Sequence, residues 1–411
     1  MPDEHIKTRC CVVGGGPAGM MTGLLFARAG VETVVIEKHS DFLRDFRGDT
    51  VHPSTTELLA ELGMLERFLK IPHDQLGRLG GEFGNERITV ADFSGLPTCC
   101  KYIAFMPQWD FLNFLASEAS AYPEFSLRME TKATDILESE GRVTGVQATT
   151  PEGTLEIKAD LVIAADGRSS RMRECAGLKV NDIGAPIDAL WFKIPRKESE
   201  GSETLFHAGP GQVVITINRG TYWQCAYVVP KGEAEKVTGG KLSDFRASVS
   251  GAAPVLKDAI ESLESFENVR LLKVAIDRLE QWSRPGLLMI GDAAHAMSPI
   301  GGVGINLAVQ DAVAAANFLA EKLQQGNLND SDLKLIQKRR LFPAKLTQWF
   351  QVQAQNRILK PIISDKESIP GTPLFFRIIS RFPALQRKMG SAIGLGARPE
   401  HIRTPEQSGE S

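Results

Sequence analysis

The feature that most constrains the fold of this chain is the stretch TRCCVVGGGPAGMMTGLLFARAGVETVVIEKHS near its start. It holds a short apolar run, a glycine-rich turn, an apolar helix pattern and a second apolar run, Thr33–Ile36, which Glu37 follows. The glycines are spaced as GxGxxG: Gly14 permits a tight turn, Gly16 lets a ligand approach the main chain, and Gly19 lets the helix pack on the strand. The stretch therefore predicts a complete βαβ unit with a ligand site at the start of its helix.

The chemistry of this unit favours a dinucleotide. The helix that Pro17 and Ala18 open supplies free N–H groups and the positive end of a helix dipole, and both suit a pyrophosphate. Glu37 follows the glycines by about 20 residues, where a carboxylate can accept hydrogen bonds from a ribose diol. Because that carboxylate repels a 2′-phosphate, the unit predicts FAD or NAD(H) here rather than NADP. Lys38 either contacts the adenosine or points into solvent.

Length and composition exclude several classes of protein. At 411 residues the chain is long enough for two domains, and its net charge of −3 gives no indication of nucleic-acid binding. The N-terminal residues lack the apolar stretch of a signal peptide, and no apolar run is long enough to span a membrane, so we expect a cytoplasmic protein. Neither the seven histidines nor the cysteines have the spacing of a metal site, and the cysteines do not form a disulfide framework: Cys10, Cys11, Cys99, Cys100, Cys175 and Cys225.

The pattern after Glu37 is not that of a plain NAD dehydrogenase, which would continue with further βα units. Arg47 lies on a short polar loop before a helix that begins near Pro53. The stretches GNERITVADF and LPTCCKYIAFMPQ then predict strands, and QWDFLNFLASEAS predicts a helix. A hairpin meander and a buried strand lead to the pair Asp166 and Gly167.

Three motifs in a fixed order resemble those of a known family. They are GxGxxG at Gly14–Gly19, the DG pair in LVIAADGRSSRMR, and the GD pair in LLMIGDAAHAMSPIGGVGINLAVQDA. With these motifs the chain resembles the single-component FAD-dependent aromatic hydroxylases, which are flavoprotein monooxygenases of the para-hydroxybenzoate hydroxylase type. The resemblance implies an α/β fold, in which an FAD/NAD(P)-binding Rossmann-like domain contains the three motifs, an antiparallel β-sheet substrate domain is inserted, and helices follow at the C-terminus.

The resemblance also divides the chain. We expect a discontinuous FAD-binding domain at 1–75, 105–180 and 276–350, a substrate domain at 76–104 and 181–275, and a C-terminal helical segment with a disordered tail at 351–411. In the C-terminal segment, phenylalanine and isoleucine alternate with arginine and lysine. Such a segment can cover the substrate pocket, form a homodimer contact or lie on an anionic membrane surface, and the membrane contact is the least favoured of the three.

The GD motif is expected to hold the reactive end of the flavin. By resemblance, Asp292 would bond the ribityl chain, or alternatively cap a helix. Pro299 would lie beside the isoalloxazine ring in the catalytic site, and the main-chain N–H groups of Ile305 and Asn306 would face the N1–C2=O edge. Reduced flavin is negatively charged at that edge, and a helix N-terminus stabilises an anion. The other cofactor-binding residues that the resemblance assigns are Arg47, Gln108, Asp166, Gly167, Gly291, Gly302 and Gly304.

Arg47 and Asp166 have alternative roles, and Gln108 departs from the residue common in the family. Arg47 would reach the FAD pyrophosphate or ribityl region and could also meet the nicotinamide dinucleotide, or it is a solvated surface arginine. Gln108 stands where many family members have arginine. Asp166 would hold an arginine or a ribose indirectly.

The sequence between 181 and 275 predicts antiparallel strands that roof the flavin. Its substrate-site candidates are Trp191, Tyr222, Trp223 and Gln224, although strand alternation lets only some of them line one pocket. Benzoate-type family members place a tyrosine and an arginine near the positions of Cys225 and Gln224, so a neutral, larger aromatic or quinol is expected instead. His52 either acts as the base for the substrate or bonds nearby main chain at the start of a helix.

The resemblance implies that NAD(P)H reduces the flavin and that a flavin C4a-hydroperoxide transfers one oxygen of O2 to an electron-rich phenol, hydroxyheteroaromatic or quinol. NADPH is favoured over NADH by resemblance only. A flavoprotein reductase or halogenase remains an alternative, although the WxWxIP motif of halogenases is absent from the sequence. A flavin-fold protein that binds an aromatic intermediate without turnover is a further alternative.

Overall fold

The computed structural model describes residues 4–43, 50–84, 86–197, 205–365, 367 and 371–407. In chain order its strands are β1 Glu4–Val13, β2 Thr33–Ile36, β3 Thr50–Val51, β4 Asp74–Leu76, β5 Arg78–Phe83, β6 Glu86–Asp92, β7 Ile103–Phe105, β8 Phe125–Arg128, β9 Lys132–Ser139, β10 Arg142–Thr150, β11 Gly153–Ala164, β12 Val180–Asp182, β13 Ile187–Pro195, β14 Leu205–Gly209, β15 Gln212–Asn218, β16 Tyr222–Pro230, β17 Arg270–Leu272, β18 Asp277–Leu279, β19 Ser283–Arg284 and β20 Leu287–Met289.

The α-helices are α1 Pro17–Arg28, α2 Pro53–Glu61, α3 Leu65–Phe68, α4 Gln108–Ala119, α5 Arg171–Cys175, α6 Ala234–Thr238, α7 Leu242–Ala252, α8 Gly304–Gln324, α9 Asp330–Ala354, α10 Lys360–Ser364, α11 Leu374–Arg381 and α12 Pro383–Gly394. Short 3-10 turns occur at Gly291–Ala293 and Ile300–Gly302, and a π-helical turn at Gln355–Leu359 continues α9.

The first large sheet has the strand order β19-β20-β11-β1-β2-β8, and β10 and β9 extend it from β11. Strands β20, β11, β1, β2 and β8 are parallel, as the βαβ pattern predicts. The last four residues of β1 are buried because β1 is central and helices cover the sheet. The predicted Rossmann-like domain is thereby confirmed, and all three glycine motifs follow strands that end on the same edge of this sheet.

Helix α8 packs against α1 in the core of this domain. The segment Ile300–Gln324 is long and apolar enough to cross a membrane, which the sequence reading did not expect. However, 78% of its most apolar window is buried inside the protein, so α8 has the properties of a core helix.

The second large sheet has the strand order β17-β13-β16-β15-β14-β5-β6. Its neighbours pair antiparallel, except for the parallel pair β14 and β5. That pair joins residues 78–92 to residues 187–272 in one sheet, and the predicted inserted antiparallel sheet is confirmed. One face packs on α7 in a separate core that includes Phe192, Trp223 and Phe245. The opposite face of the sheet lines a cavity together with residues of the three glycine motifs.

The C-terminal residues are ordered further than expected. Gln407 donates its main-chain N–H to the carbonyl of Arg28 at 3.0 Å, and Arg28 donates to the carbonyl of Thr404 at 2.9 Å. Tyr122 donates to the Glu406 carboxylate at 3.0 Å. The disordered tail predicted from the polar composition is therefore corrected for residues 404–407, because hydrogen bonds to the end of α1 hold them; residues 408–411 lie outside the described residues.

Candidate functional site

The first glycine turn is shaped by close main-chain approaches and by open space. Gly14 has a φ of +105°, and a Cβ there would lie 2.6 Å from the carbonyl oxygen of Ala165. A Cβ on Gly19 would lie 1.8 Å from the carbonyl oxygen of Gly14. At Gly16, in contrast, a Cβ would meet no atom within 4 Å, and this residue lines a cavity. Gly14 and Gly19 are thus required by the chain itself, whereas Gly16 leaves the start of α1 bare for a ligand.

Glu37 is oriented by two main-chain groups. Its Oε2 accepts from the N–H of Gly15 at 2.9 Å, and its Oε1 accepts from the N–H of His39 at 3.2 Å. Glu37 and Lys38 both line the cavity beside Pro17 and Ala18 of α1. The structure therefore has an anchored carboxylate next to the N-terminus of α1, where the βαβ pattern predicts one. Arg47 lies outside the described residues.

The GD motif lines another part of the same cavity. Asp292, Pro299, Gly302, Gly304, Ile305 and Asn306 all line it. Gly301 and Gly302 have positive φ values of +78° and +64°. Helix α8 begins at Gly304, where a Cβ would meet no atom within 4 Å. The positive end of α8 therefore meets the cavity without an intervening side chain at that position.

The side chain of Asn306 is already engaged within the protein. Its Oδ1 accepts from the main-chain N–H of His52 at 2.8 Å and from the hydroxyl of Thr55 at 2.7 Å. Its Nδ2 donates to the carbonyl of Gly302 at 3.3 Å. These bonds tie the loop before α2 to the start of α8.

The DG motif stands between the two glycine turns. Asp166 accepts from the hydroxyl of Ser170 at 2.6 Å and from the N–H of Met172 at 3.1 Å, so its carboxylate organises the start of α5. Burial raises the pKa of this carboxyl group. Arg168 extends from the same loop to Asp292 at 3.5 Å. Asp166 therefore does not hold this arginine, and the ion pair with Arg168 is made by Asp292.

One cavity of about 1590 Å³ joins these groups to the second sheet. Single small-molecule pockets typically measure roughly 300–1,000 Å³, so this volume suits a cofactor and a substrate together. Gln108, at the start of α4, also lines it. The sheet contributes apolar side chains from alternate positions of three strands: Ile187, Ala189, Trp191, Ile215, Ile217, Ala226 and Val228.

Comparison with known proteins agrees with this geometry. A family model described as an FAD binding domain matches residues 7–349. The 6-methylpretetramide 4-monooxygenase of Streptomyces rimosus is 32% identical over 406 residues, which cover 98% of this chain and 96% of that protein. The chain belongs to the FAD-dependent aromatic monooxygenases.

The monooxygenase also matches solved structures. The p-nitrophenol 4-monooxygenase PnpA of Pseudomonas putida DLL-E4 is 22% identical, covers 95% of each chain and has a TM-score of 0.72. The anhydrotetracycline hydroxylase OxyS of Streptomyces rimosus is also 22% identical. The match covers 95% of this chain and 76% of the OxyS chain, with a TM-score of 0.72. Because both proteins are only 22% identical to this chain, these two matches show a shared fold.

FAD fits the described residues of the monooxygenase. Gly16 and Gly304 leave the starts of α1 and α8 open towards one cavity. FAD needs two such sites, one for its pyrophosphate and one for the negatively charged edge of the reduced flavin. Glu37 would supply a carboxylate for a ribose diol, and Asp292 lines the cavity beside the GD turn. When bound, FAD supplies the redox chemistry of the reaction, while the protein binds and orients it.

A buried ion network lies behind the GD turn. Asp311 on α8 accepts through Oδ2 from the N–H of Gly291 at 3.1 Å and from Nε2 of His295 at 2.6 Å. Its Oδ1 accepts from Nε of Arg340 at 3.0 Å, and Arg340 also reaches Glu400 at 3.3 Å. Burial acts to raise the pKa of Asp311, but the charges and hydrogen bonds of His295 and Arg340 outweigh it and lower the pKa. His295 is thus a structural member of this network.

Three glutamines on the C-terminal part of α9 and its π-helical turn hold the segment before Pro299; we call Gln348, Gln351 and Gln355 the glutamine clamp. All three side chains are buried. Gln348 donates to the carbonyl of Ala296 at 3.0 Å, and Gln355 donates to the hydroxyl of Ser298 at 2.6 Å. The clamp therefore fixes 296–300 from α9 and its π-helical turn, and Gln351 also lines the cavity.

Gln351 makes the central contacts of the clamp. It accepts from the N–H of Ser298 at 3.1 Å and donates to the carbonyls of Ser298 and Ile300 at 2.9 and 3.0 Å. Sequence reasoning missed the clamp because glutamines are ordinary on exposed helix faces. The available signal was their spacing of three and four residues, which places them on one face.

His52 is fully buried and bonds main chain. Its Nδ1 donates to the carbonyl of Ile393 at 2.9 Å, which ties α12 to the start of α2. Burial lowers the pKa of the ring to about 4. The residues that line the cavity in the described part of the chain do not include His52. The structure therefore favours the main-chain contact over the role of substrate base.

The substrate-site candidates on the second sheet divide between its faces. Trp191 lines the cavity, whereas the lining residues of the described chain do not include Tyr222, Trp223 or Gln224. Trp223 packs in the separate core on the α7 side, and Arg196 lies 5.3 Å from its ring centre. Those three expectations are corrected because Tyr222 and Gln224 lie near the far end of β16, while Trp223 points to the other face. Cys225 faces that core too, and burial raises its pKa.

Other segments also bring residues to the cavity, among them the C-terminal segment that the sequence analysis considers as a cover of the substrate pocket. The C-terminal helices pack on the second sheet and bring aromatic residues to the cavity. The additional lining residues are Phe105, Arg168, Phe206, Trp349, Phe350, Arg357, Phe375, Phe376, Met389 and Ile393. Arg168 stood inside the quoted DG motif, whereas the helical residues come from positions far along the chain.

Proposed function

We propose that the monooxygenase hydroxylates a neutral, multi-ring phenol or quinol, and that it consumes O2 and NADPH. The observation that supports this substrate class is the apolar wall of the second sheet. Seven lining residues from β13, β15 and β16 are aliphatic side chains, alanines or Trp191. A wall of this kind favours ring systems without a carboxylate, because an unpaired buried charge is costly.

The size of the cavity and a relative's name support an extended substrate. The cavity measures about 1590 Å³, which leaves room beyond a dinucleotide. The relative that matches along nearly the whole chain is named for 6-methylpretetramide. We infer a fused aromatic substrate that lies flat beneath Trp191 and extends towards Phe376.

The residues of the chain have separate tasks in this proposal. Glu37 and the start of α1 bind the adenosine diphosphate end of FAD, and the start of α8 provides a positive dipole for negative charge at the flavin pyrimidine edge. The apolar wall excludes water around the substrate. Asp292 and Arg168, which both line the cavity, form an ion pair with each other. The protein would act in the cytoplasm, where NADPH is present.

The first experiment measures oxidation of NADPH and of NADH by the FAD-loaded protein across single-ring phenols, fused-ring phenols and quinols, with peroxide quantified in parallel. We expect a fused-ring phenol or quinol to stimulate NADPH oxidation with little peroxide and to yield a product heavier by one oxygen atom. Stimulation only by single-ring phenols would contradict the proposed substrate class.

A pair of variants localises the substrate. Trp191→Ala should raise KM for the substrate while FAD remains bound, because Trp191 lines the cavity. Tyr222→Ala is the matched control on the neighbouring strand, since Tyr222 is absent from the described cavity wall, and it should leave KM unchanged. Equal effects of both substitutions would place the substrate elsewhere.

A further inference from the structure

Helix α11 directs its most apolar face to solvent. Leu374, Phe375 and Ile378 fall within about 100° of the helix circumference, and they are 72%, 59% and 43% exposed. Phe382, which follows the helix, is 55% exposed. We call Leu374, Phe375, Ile378 and Phe382 the outer face of α11.

The inner face of the same helix holds it on the protein. Ile379 is buried, and the ring of Phe376 lies 5.9 Å from the ring of Phe83 on β5. Phe83 in turn lies 5.4 Å from Phe206 on β14. The helix is therefore anchored to the second sheet through one side, and its outer face is a separate apolar surface rather than part of the core.

The segment that contains the outer face is positively charged. From Leu374 to Arg398 the sequence contains five basic residues and no Asp or Glu, although the whole chain has a net charge of −3. All five are exposed: Arg377, Arg381, Arg387, Lys388 and Arg398. On the helical projection Arg377 and Arg381 adjoin Leu374, at the border of the outer face. Arg377 lies 3.8 Å from Glu86, which neutralises part of its charge.

The outer face is continuous with the mouth of the cavity. Phe375 belongs to both, and it lines the cavity together with Trp349 and Phe350. Trp349 and Phe350 are 55% exposed, and their rings lie 4.9 Å apart. Exposed aromatic side chains therefore surround the entrance on the side of α11.

We propose that the outer face of α11 docks on a bilayer that contains anionic lipids, with the cavity mouth turned towards the lipid. An apolar helix face bordered by arginines is the arrangement that binds at the membrane interface. A second copy of the chain is a weaker match. A two-fold dimer would place this face against itself and bring the two groups of basic residues together. An apolar substrate dissolved in the bilayer would reach the cavity without crossing water.

The experiment is flotation of the full FAD-loaded chain with vesicles of phosphatidylcholine, with or without phosphatidylglycerol. We expect binding only with phosphatidylglycerol, and weaker binding as salt rises. Leu374→Ser combined with Ile378→Ser should reduce the bound fraction strongly, since neither residue lines the cavity. Arg381→Glu should reduce the partition coefficient about tenfold or more, because each basic residue near an anionic surface contributes about fivefold.

Two controls separate docking from other effects. Val180→Ser removes an exposed apolar residue on β12, and Lys236→Glu reverses an exposed charge on α6; neither should change flotation. FAD content and circular dichroism check that each variant is folded. Equal binding to vesicles without phosphatidylglycerol, or binding unchanged in the α11 variants, would overturn the proposal. A concentration-dependent dimer that the Leu374 and Ile378 substitutions abolish, without vesicle binding, would assign the face to a second copy. Because no substrate is used, this result is independent of the proposed reaction.

Discussion

The side-chain amide of Gln351 bonds both main-chain groups of Ser298, accepting from its N–H at 3.1 Å and donating to its carbonyl at 2.9 Å. The Gln351 side chain thus makes the two main-chain hydrogen bonds that a neighbouring strand would make in a sheet. The residue that follows Ser298 is Pro299, which lines the cavity, so the position of this wall depends on a residue in another helix.

Gln351→Met retains approximate size and removes these bonds. Since it leaves buried main-chain groups of Ser298 and Ile300 without partners, we expect a loss of about 1–3 kcal/mol in the free energy of unfolding. We also expect weaker FAD binding and a shifted flavin absorbance spectrum. Denaturant unfolding and titration of the apoprotein with FAD measure these effects. Gln325→Met, at the exposed residue that follows α8, should change neither quantity. An unaltered spectrum and affinity in Gln351→Met would show that the clamp does not position the cofactor.

Arg340→Met tests the ion network. The side chains of Arg340 and Asp311 are almost completely buried. The substitution removes the guanidinium that pairs with Asp311 and Glu400. Breaking a buried ion pair in this way typically lowers the free energy of unfolding by about 3–5 kcal/mol. The free energy of unfolding is obtained from denaturant titration. Lys236→Met breaks an exposed pair with Glu233 and should leave stability nearly unchanged. Similar small effects of both substitutions would mean that the network does not stabilise the fold.

His52 predicts a pH dependence of stability. Its pKa is lowered to about 4 in the folded protein, against about 6.5 in the unfolded chain. The unfolded state therefore binds the proton first as the pH falls, and stability is lost progressively between about pH 6.5 and pH 4, by about 3 kcal/mol in total. Unfolding free energies across this range measure the loss.

His52→Gln isolates this contribution. The pKa of His207 is also lowered by burial, so part of the slope should persist in the variant. The difference between the two profiles belongs to His52. His5→Gln, at an exposed position, is the matched control and should keep the full slope. Identical profiles for the native chain and His52→Gln would contradict the prediction.

Gly16→Val separates cofactor binding from folding. A Cβ at Gly16 meets no protein atom within 4 Å, so the fold should tolerate the substitution, while the new side chain occupies the start of α1 where the pyrophosphate is expected. We expect a folded protein that loses FAD on gel filtration. Gly77→Val is the control: a Cβ at Gly77 also meets no atom, but Gly77 does not line the cavity. Retention of FAD by Gly16→Val would place the pyrophosphate elsewhere.

The sequence predicts the first glycine turn well because its determinants are local. Gly19 and Glu37 make their contacts within one βαβ unit, with the main chain of Gly14 and Gly15. The inserted sheet was predictable for a similar reason, since alternation and turn residues are local signals. Alternation does not say which face is the cavity face, so Trp191 and Trp223 were both candidates, although Trp191 lines the cavity and Trp223 packs in the other core.

Contacts between distant segments could not be predicted in this way. Gln351 and Ser298 are 53 residues apart in the chain, and nothing in either local sequence indicates the partner. The polar residues Thr404–Gln407 have the composition of a disordered tail, yet α1 supplies hydrogen-bond partners for them. His52 has the residue type of a base, but its environment is set by Ile393 of α12.

The ion network behind the GD turn has a consequence for how the protein is made. Glu400 is the last member along the chain, and it meets Arg340, whose partner Asp311 holds Gly291. During synthesis the βαβ unit leaves the ribosome first, whereas the turn that presents Asp292 lacks its full support until residue 400 has emerged. The two parts of the FAD site thus become complete at different times during synthesis, so the cofactor is expected to load only after residue 400 has emerged.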